Sequence, residues 1–128
     1  MMCVKSKIGP SKIQGIGLFA DEFISKGTVI FRFVLGFDLK FSAKEMKKLP
    51  PQTRKYLKKY TWLSKKSGKY CFSLDNNRYI NHSRNPNALS KYYKNEEEVV
   101  TKAIKNIKKG EEITEDYRTL EKNYKRGW

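Results

Sequence analysis

Apolar positions in this chain fall in short bursts broken by glycine, proline and lysine, a rhythm that suits short strands better than long helices. Residues 4–8 are an extended candidate ended by Gly9-Pro10. The stretch KIQGIGLFA sets two glycines around Ile16 and then runs apolar from Leu18 to Ala20. GTVIFRFVLGF is β-branched and aromatic between Gly27 and Gly36 and predicts a strand over 28–34. Ser42 and Glu45 have capping-box spacing, so a short helix should follow and stop before Pro50-Pro51. Pro51 can open a second helix with Tyr56, Leu57 and Tyr60 on one face. TWLS and KYCFSL flank a lysine- and glycine-containing turn and predict a β-hairpin. Residues 89–93 and 96–103 are further strand candidates. The motif I-x-K-G-x-x-I occurs at 24–30 and again at 107–113, implying two similar turns that each feed a strand. The pattern predicts a mostly β fold with brief helices.

Length and composition narrow the class. The 128 residues predict one domain, 1–128, and a 38% apolar, 13% aromatic content argues against disorder. No apolar run is long enough to span a membrane, and the first ten residues lack the apolar core of a secretory signal. Cys3 and Cys71 are expected to be free thiols in a reducing compartment, although a disulfide between them stays open. One histidine and two cysteines make no four-ligand zinc site from those residue types, so no metal is expected. The net charge is +15 and unevenly placed: residues 40–70 hold 11 lysines and arginines against one acid, Glu45. Such a segment attracts polyanions in a salt-dependent way.

One segment departs from this lysine-rich background. RYINHSRNPN, residues 78–87, concentrates three asparagines, a proline and the only histidine of the chain. Taken singly, a histidine or a tyrosine is most often a packing residue. In order along the chain, however, GIGLFA (15–20), RYINHSRNPN and GEEITEDY (110–117) are similar to three motifs of the SET domain of protein-lysine methyltransferases. The resemblance extends from about residue 4 to residue 117. It implies a SET fold of several small sheets with a C-terminal pseudoknot-like crossing.

The resemblance also implies chemistry: transfer of a methyl group from S-adenosylmethionine to a lysine side chain, with a histone as the first substrate expectation. Asn81 would meet the amino-acid end of the cofactor and His82 its adenine, the latter largely through backbone. Arg78 and Tyr79 would line the same pocket. Gly15 and Gly17, flanking Ile16, would let the backbone approach the ligand. Tyr60 matches a family tyrosine at the start of a comparable strand. Tyr117 would be catalytic, its hydroxyl orienting the methyl group and the amine. Tyr60, Tyr79, Tyr92, Tyr93 and Tyr124 are candidate walls of the lysine channel. Asn85-Pro86-Asn87 would hold the crossing segment, and Glu111 and Glu112 are expected to be solvated.

This chain also differs from the family pattern. Arg84 stands where many members carry cysteine, and the zinc-binding cysteine clusters that flank many members are absent. Residues 118–128 would then close the channel, through Tyr124 or Trp128, unless a partner chain does; compact members of this type include homodimers. The basic 40–70 insert would border the peptide groove, where it would repel a basic histone tail unless it faces away or grips nucleosomal DNA. The expected location is intracellular, on chromatin or in the nucleus for a histone substrate and cytoplasmic otherwise. Two further functions fit the composition: a non-catalytic SET-like module that uses its basic face on nucleic acid or chromatin, and a dimeric scaffold.

Overall fold

A computed structural model describes residues 1–121. In chain order the elements are β1 (Ser6–Pro10), β2 (Ile16–Ala20), β3 (Val29–Arg32), β4 (Leu39–Phe41), α1 (Ala43–Lys47), α2 (Pro51–Tyr60), β5 (Thr61–Leu63) and β6 (Tyr70–Phe72). A 3-10 turn (Asn76–Tyr79) leads to β7 (Asn81–His82), β8 (Ala88–Tyr92), β9 (Val99–Ala103), β10 (Glu112–Glu115) and α3 (Tyr117–Leu120). The mostly β expectation holds, with boundaries moved for identifiable reasons. β1 runs through Gly9-Pro10 instead of ending there, because it is an edge strand, where a residue without N–H is tolerated. β3 stops at Arg32 because the Val34 carbonyl already accepts the N–H groups of Phe37 and Asp38 in a turn. Tyr60 is the last residue of α2, and the following strand starts at Thr61.

The larger sheet has the order β1-β2-β10-β8-β9-β3, with β7 also paired to β10; the smaller is β4-β6-β5. β10 is the crossing segment. It lies antiparallel to β2, with Ile113 opposite Leu18, and parallel to β7 and β8, with Thr114 opposite Asn81 and Glu115 opposite Ala88. Asn87 fixes this insertion. Its Nδ2 donates to the Glu112 carbonyl at 2.8 Å and its Oδ1 accepts the Thr114 N–H at 2.9 Å, so one amide satisfies two backbone groups of the inserted strand. The two I-x-K-G turns do more than resemble each other. Ile24 and Ile107 exchange both backbone hydrogen bonds at 2.8 Å, and both side chains are buried with Leu18, Ile30, Ile80 and Ile113.

The small sheet is pinned from both ends. In α1 both halves of the capping box form: Ser42 Oγ accepts the Glu45 N–H, and Glu45 Oε1 accepts the Ser42 N–H. Leu57 of α2 packs with Met46 and Phe72. Tyr56 is 45% exposed, so the expected face of α2 narrows to Leu57 and the partly buried Tyr60; the Tyr56 ring lies tilted against Tyr60 at 4.9 Å. Across the sheet interface, Trp62 meets Phe31 and Phe33 edge-on, each at 6.3 Å. Lys40 of β4 reaches the fully buried Glu98 at 2.7 Å and Glu97 at 2.9 Å. Burial alone would lower the Lys40 pKa, but hydrogen bonds to these two carboxylates outweigh it and hold the ammonium above its ordinary range. Ser64 Oγ also donates to Glu98, at 2.5 Å.

Two more lysines of the basic segment serve the fold. Lys65 Nζ donates to the Arg118 and Thr119 carbonyls at 2.9 and 3.1 Å, and Lys66 Nζ donates to the carbonyls of Tyr93, at 2.8 Å, and Glu96. Among the described residues no helix is long and apolar enough to cross a membrane.

Removing one partner of a buried ion pair leaves the other charged and dry. Lys40→Ala should therefore destabilise the protein by about 3–5 kcal/mol, measured by urea unfolding. A loss below about 1 kcal/mol would mean that water reaches Glu98.

Candidate active site

β10 and the segment 76–82 bring the motif residues together around two adjoining cavities. The larger, about 420 Å³, is lined by Ile13, Gln14, Gly15, Ile16, Lys59, Tyr60, Arg78, Tyr79, Ile80, Asn81, His82 and Tyr117. That volume lies in the range of small-molecule sites. The smaller, about 40 Å³, is lined by Lys59 to Trp62, Asn77, Arg78, Ile80, Glu115, Tyr117, Leu120 and Glu121. Lys59, Tyr60, Arg78, Ile80 and Tyr117 border both, so Tyr117 stands on a wall common to the two spaces.

Of the nine residues singled out in the sequence, eight line the larger cavity: Gly15, Ile16, Tyr60, Arg78, Tyr79, Asn81, His82 and Tyr117. Gly17 does not. A Cβ built there would sit 2.5 Å from Glu112 Oε2, so this glycine makes room for a carboxylate. Gly15 does need its freedom, since φ is +46°. Glu112, expected in solvent, is part-buried and central. Its carboxylate accepts Ser11 Oγ at 2.8 and 2.9 Å and Asn81 Nδ2 at 2.9 Å. Asn81 Nδ2 also reaches Ser11 Oγ and the Gln14 carbonyl, each at 3.1 Å. The amide is thus locked between β10 and the loop at 11–16. Nothing in the sequence distinguishes Glu112 from Glu111, which is exposed and accepts the Lys108 N–H locally.

Tyr117 is held at both ends. Its hydroxyl donates to the Ile80 carbonyl, and its backbone N–H donates to His82 Nδ1 at 3.1 Å. The His82 side chain therefore has a positioning contact that its expected backbone role did not include. The two rings lie 5.3 Å apart. Asp116 Oδ1 caps α3 by accepting the Arg118 N–H, and both carboxylate oxygens accept the Arg118 guanidinium. Hydrogen bonds from Arg118 hold the Asp116 carboxyl down at about 2.

Of the candidate aromatic walls, Tyr60 and Tyr79 meet edge-on at 5.6 Å beside the cavities. Tyr92 and Tyr93 line neither; Tyr92 donates its hydroxyl to the Leu120 carbonyl at 2.6 Å, and Lys102 lies over the Tyr93 ring. Tyr124 and Trp128 lie outside the described residues.

Sequence reasoning missed the charged, polar lining of the narrow cavity, where Glu115 and Glu121 stand with Lys59 and Arg78. Glu115 is 1% exposed, and burial pushes its carboxyl up to about 7 against the hydrogen bond from Ser90. Asn77 Oδ1, Trp62 Nε1 and Arg78 Nε are buried there without hydrogen-bond partners among the described residues. Groups of that kind cost free energy unless something else meets them. No cluster of metal-ligating side chains occurs among the described residues.

Comparison with known proteins agrees with the motifs. Residues 15–118 match the SET domain family model. The histone-lysine N-methyltransferase trr of Drosophila melanogaster is 33% identical over 84% of this chain, which spans 4% of that protein. A histone-lysine N-methyltransferase of Aspergillus oryzae, described as H3 lysine-4 specific, is 31% identical over 84% of the chain, which spans 9% of it. Among solved structures, Chaetomium thermophilum Polycomb Repressive Complex 2 in an autoinhibited conformation bound to S-adenosylmethionine superposes with a TM-score of 0.68 at 25% identity. That match covers 91% of this chain and 16% of the other.

Two outcomes follow from this geometry. Gly17→Ala should push Glu112 off Asn81 and cost about 1–3 kcal/mol, read by thermal unfolding; an unchanged melting temperature would mean that the carboxylate swings away freely. Glu115 binds its proton more tightly folded than unfolded, so the folded state loses stability as pH rises from about 4.5 to about 7. Glu115→Gln should remove that loss, at most roughly 3 kcal/mol, in melting curves at pH 5 and pH 8.

Proposed function

The chain belongs to the SET-domain family, and from that premise we propose that it is a protein-lysine N-methyltransferase that uses S-adenosylmethionine and modifies a histone. The observation that carries the reading is the place of Tyr117, on the wall between a ligand-sized cavity and a narrow one. A methyl transfer to an amine is an in-line displacement, so donor and acceptor must approach one point from opposite sides.

The larger cavity suits a nucleoside joined to an amino acid. Asn81 spends its Nδ2 on Glu112 and the 11–16 loop, which leaves its carbonyl oxygen for the ligand's ammonium. Ile13 and Ile16 are about half exposed beside the cavity and offer apolar surface to a purine. When bound, S-adenosylmethionine would supply an electrophilic methyl group on a sulfonium. The Tyr60 and Tyr79 rings would face the cationic amine and its methylated product. His82 would act through Tyr117, fixing the backbone from which the phenol projects.

A histone substrate would put the protein on chromatin or in the nucleus. Exposed Lys44, Lys47, Lys55 and Lys58 on α1 and α2, with Lys48 just after α1, would then meet nucleosomal DNA phosphates rather than the tail.

The test is transfer of label from methyl-labelled S-adenosylmethionine to nucleosomes, free histones and a cell lysate. Tyr117→Phe should lower transfer on the order of 10²-fold while cofactor affinity by calorimetry changes little. Cofactor binding without transfer to any of the three would instead support the non-catalytic module, and absence of binding would overturn both readings.

A further inference from the structure

We infer that Glu115 accepts the proton of the incoming lysine ammonium, so that the narrow cavity serves as the deprotonation site of the reaction; the inference rests on the methyltransferase reading above. An ammonium has no lone pair to attack with, and in water at neutral pH only roughly one lysine in 10³–10⁴ is a free amine. Nothing assigned so far removes that proton. Tyr117 donates its hydroxyl to the Ile80 carbonyl, and His82 Nδ1 is taken up by the Tyr117 N–H.

Glu115 stands two residues before Tyr117 and lines the narrow cavity with it. Ser90 Oγ donates to Glu115 Oε2 at 2.5 Å and lies 2.7 Å from Thr101 Oγ1, so β8 and β9 anchor one carboxylate oxygen. Ser90 is the only hydrogen-bond donor to that carboxylate among the described residues, which leaves Oε1 able to take a proton. Asn77 Oδ1 adds a second acceptor for an amine N–H. A lysine ammonium entering beside a dry carboxylate creates a buried ion pair, and proton transfer within it yields two neutral groups that tolerate burial far better.

The titration of the group agrees with this role. Its carboxyl is raised to about 7, by burial first and by the Asp116 charge, with the Ser90 hydrogen bond opposing. A base is most useful when it titrates near the working pH. Around the cavity Lys59 and Arg78 favour the ionised carboxylate, while Glu121 and neighbouring Asp116 oppose it.

The step balances. An N–H bond of the ammonium breaks and an O–H bond forms on Glu115. The freed nitrogen pair then forms an N–C bond to the methyl group as the C–S bond breaks, and its electrons return sulfur from sulfonium to neutral thioether. The product is a methylammonium, and Glu115 afterwards releases its proton to water.

The experiment is the pH dependence of kcat/KM for wild type, Glu115→Gln and Ser90→Ala, on whichever substrate takes label. Wild type should lose activity on the acid side with a midpoint near 7. Glu115→Gln should be slower by roughly 10²–10⁴-fold at pH 7.5, and its rate should climb tenfold per pH unit toward the lysine's own titration. Ser90→Ala removes a bond that favours the carboxylate, so its acid limb should move to higher pH. A second readout needs no turnover: the Glu115 carboxyl is titrated by carbon-13 NMR with S-adenosylhomocysteine and the substrate peptide. A lysine peptide should shift that titration by one pH unit or more, and a norleucine peptide should leave it in place. If wild type labels a substrate but Glu115→Gln keeps the wild-type acid limb, or both peptides give the same titration, Glu115 is not the acceptor. If wild type labels nothing, the methyltransferase reading fails and this inference falls with it.

Discussion

The insertion of β10 between β2 and β8, where it also pairs with β7, is the constraint on which the rest depends. Four consecutive residues of one strand carry four different obligations. Glu112 tethers Asn81, Ile113 fills the core, the Thr114 N–H is bonded to Asn87, and Glu115 reaches the narrow cavity. A strand's alternation then decides what each face receives. Because side chains switch sides with every residue, a one-residue slip would bury Glu112 and expose Ile113. The Asn87 amide opposes such a slip, since it bonds one carbonyl and one N–H at fixed positions along β10.

The electrostatics separate by distance. The chain carries +15 overall, yet its narrow cavity is balanced, lined by two glutamates together with Lys59 and Arg78. Exposed charges farther apart than about 8–10 Å are largely screened at physiological salt, whereas groups within a dry cavity feel their neighbours strongly. The basic exterior therefore does not set the sign of the interior. Part of the positive segment is also spent on structure: Lys40 neutralises buried Glu98, while Lys65 and Lys66 hold backbone carbonyls of α3 and of residues 93–96.

Much of this was legible in the sequence, for local reasons. The Ser42–Glu45 capping box, the proline start of α2 and the hairpin around Gly68 depend on residues within a few positions of one another, and each formed. The motif segments also identified eight of the residues around the larger cavity. What the sequence hid depends on contacts made far along the chain. Gly17 faces Glu112, 95 positions later, and neither residue type announces the other. Glu115 looks like a polar residue in an alternating strand until β8 and β9 cover it. The pairing of Ile24 with Ile107 was visible only as a repeated motif, because repetition does not reveal that the copies bond to each other.

The crossing strand follows in the chain every strand it joins, and that order bears on biosynthesis. As the polypeptide leaves the ribosome, residues 1–103 can lay down every other strand while the slot between β2 and β8 stays open, lined by Leu18 and Ala88. Until β10 follows, the nascent protein presents a sticky, strand-shaped gap with unpaired edges, the kind of surface that recruits chaperones or a wrong partner.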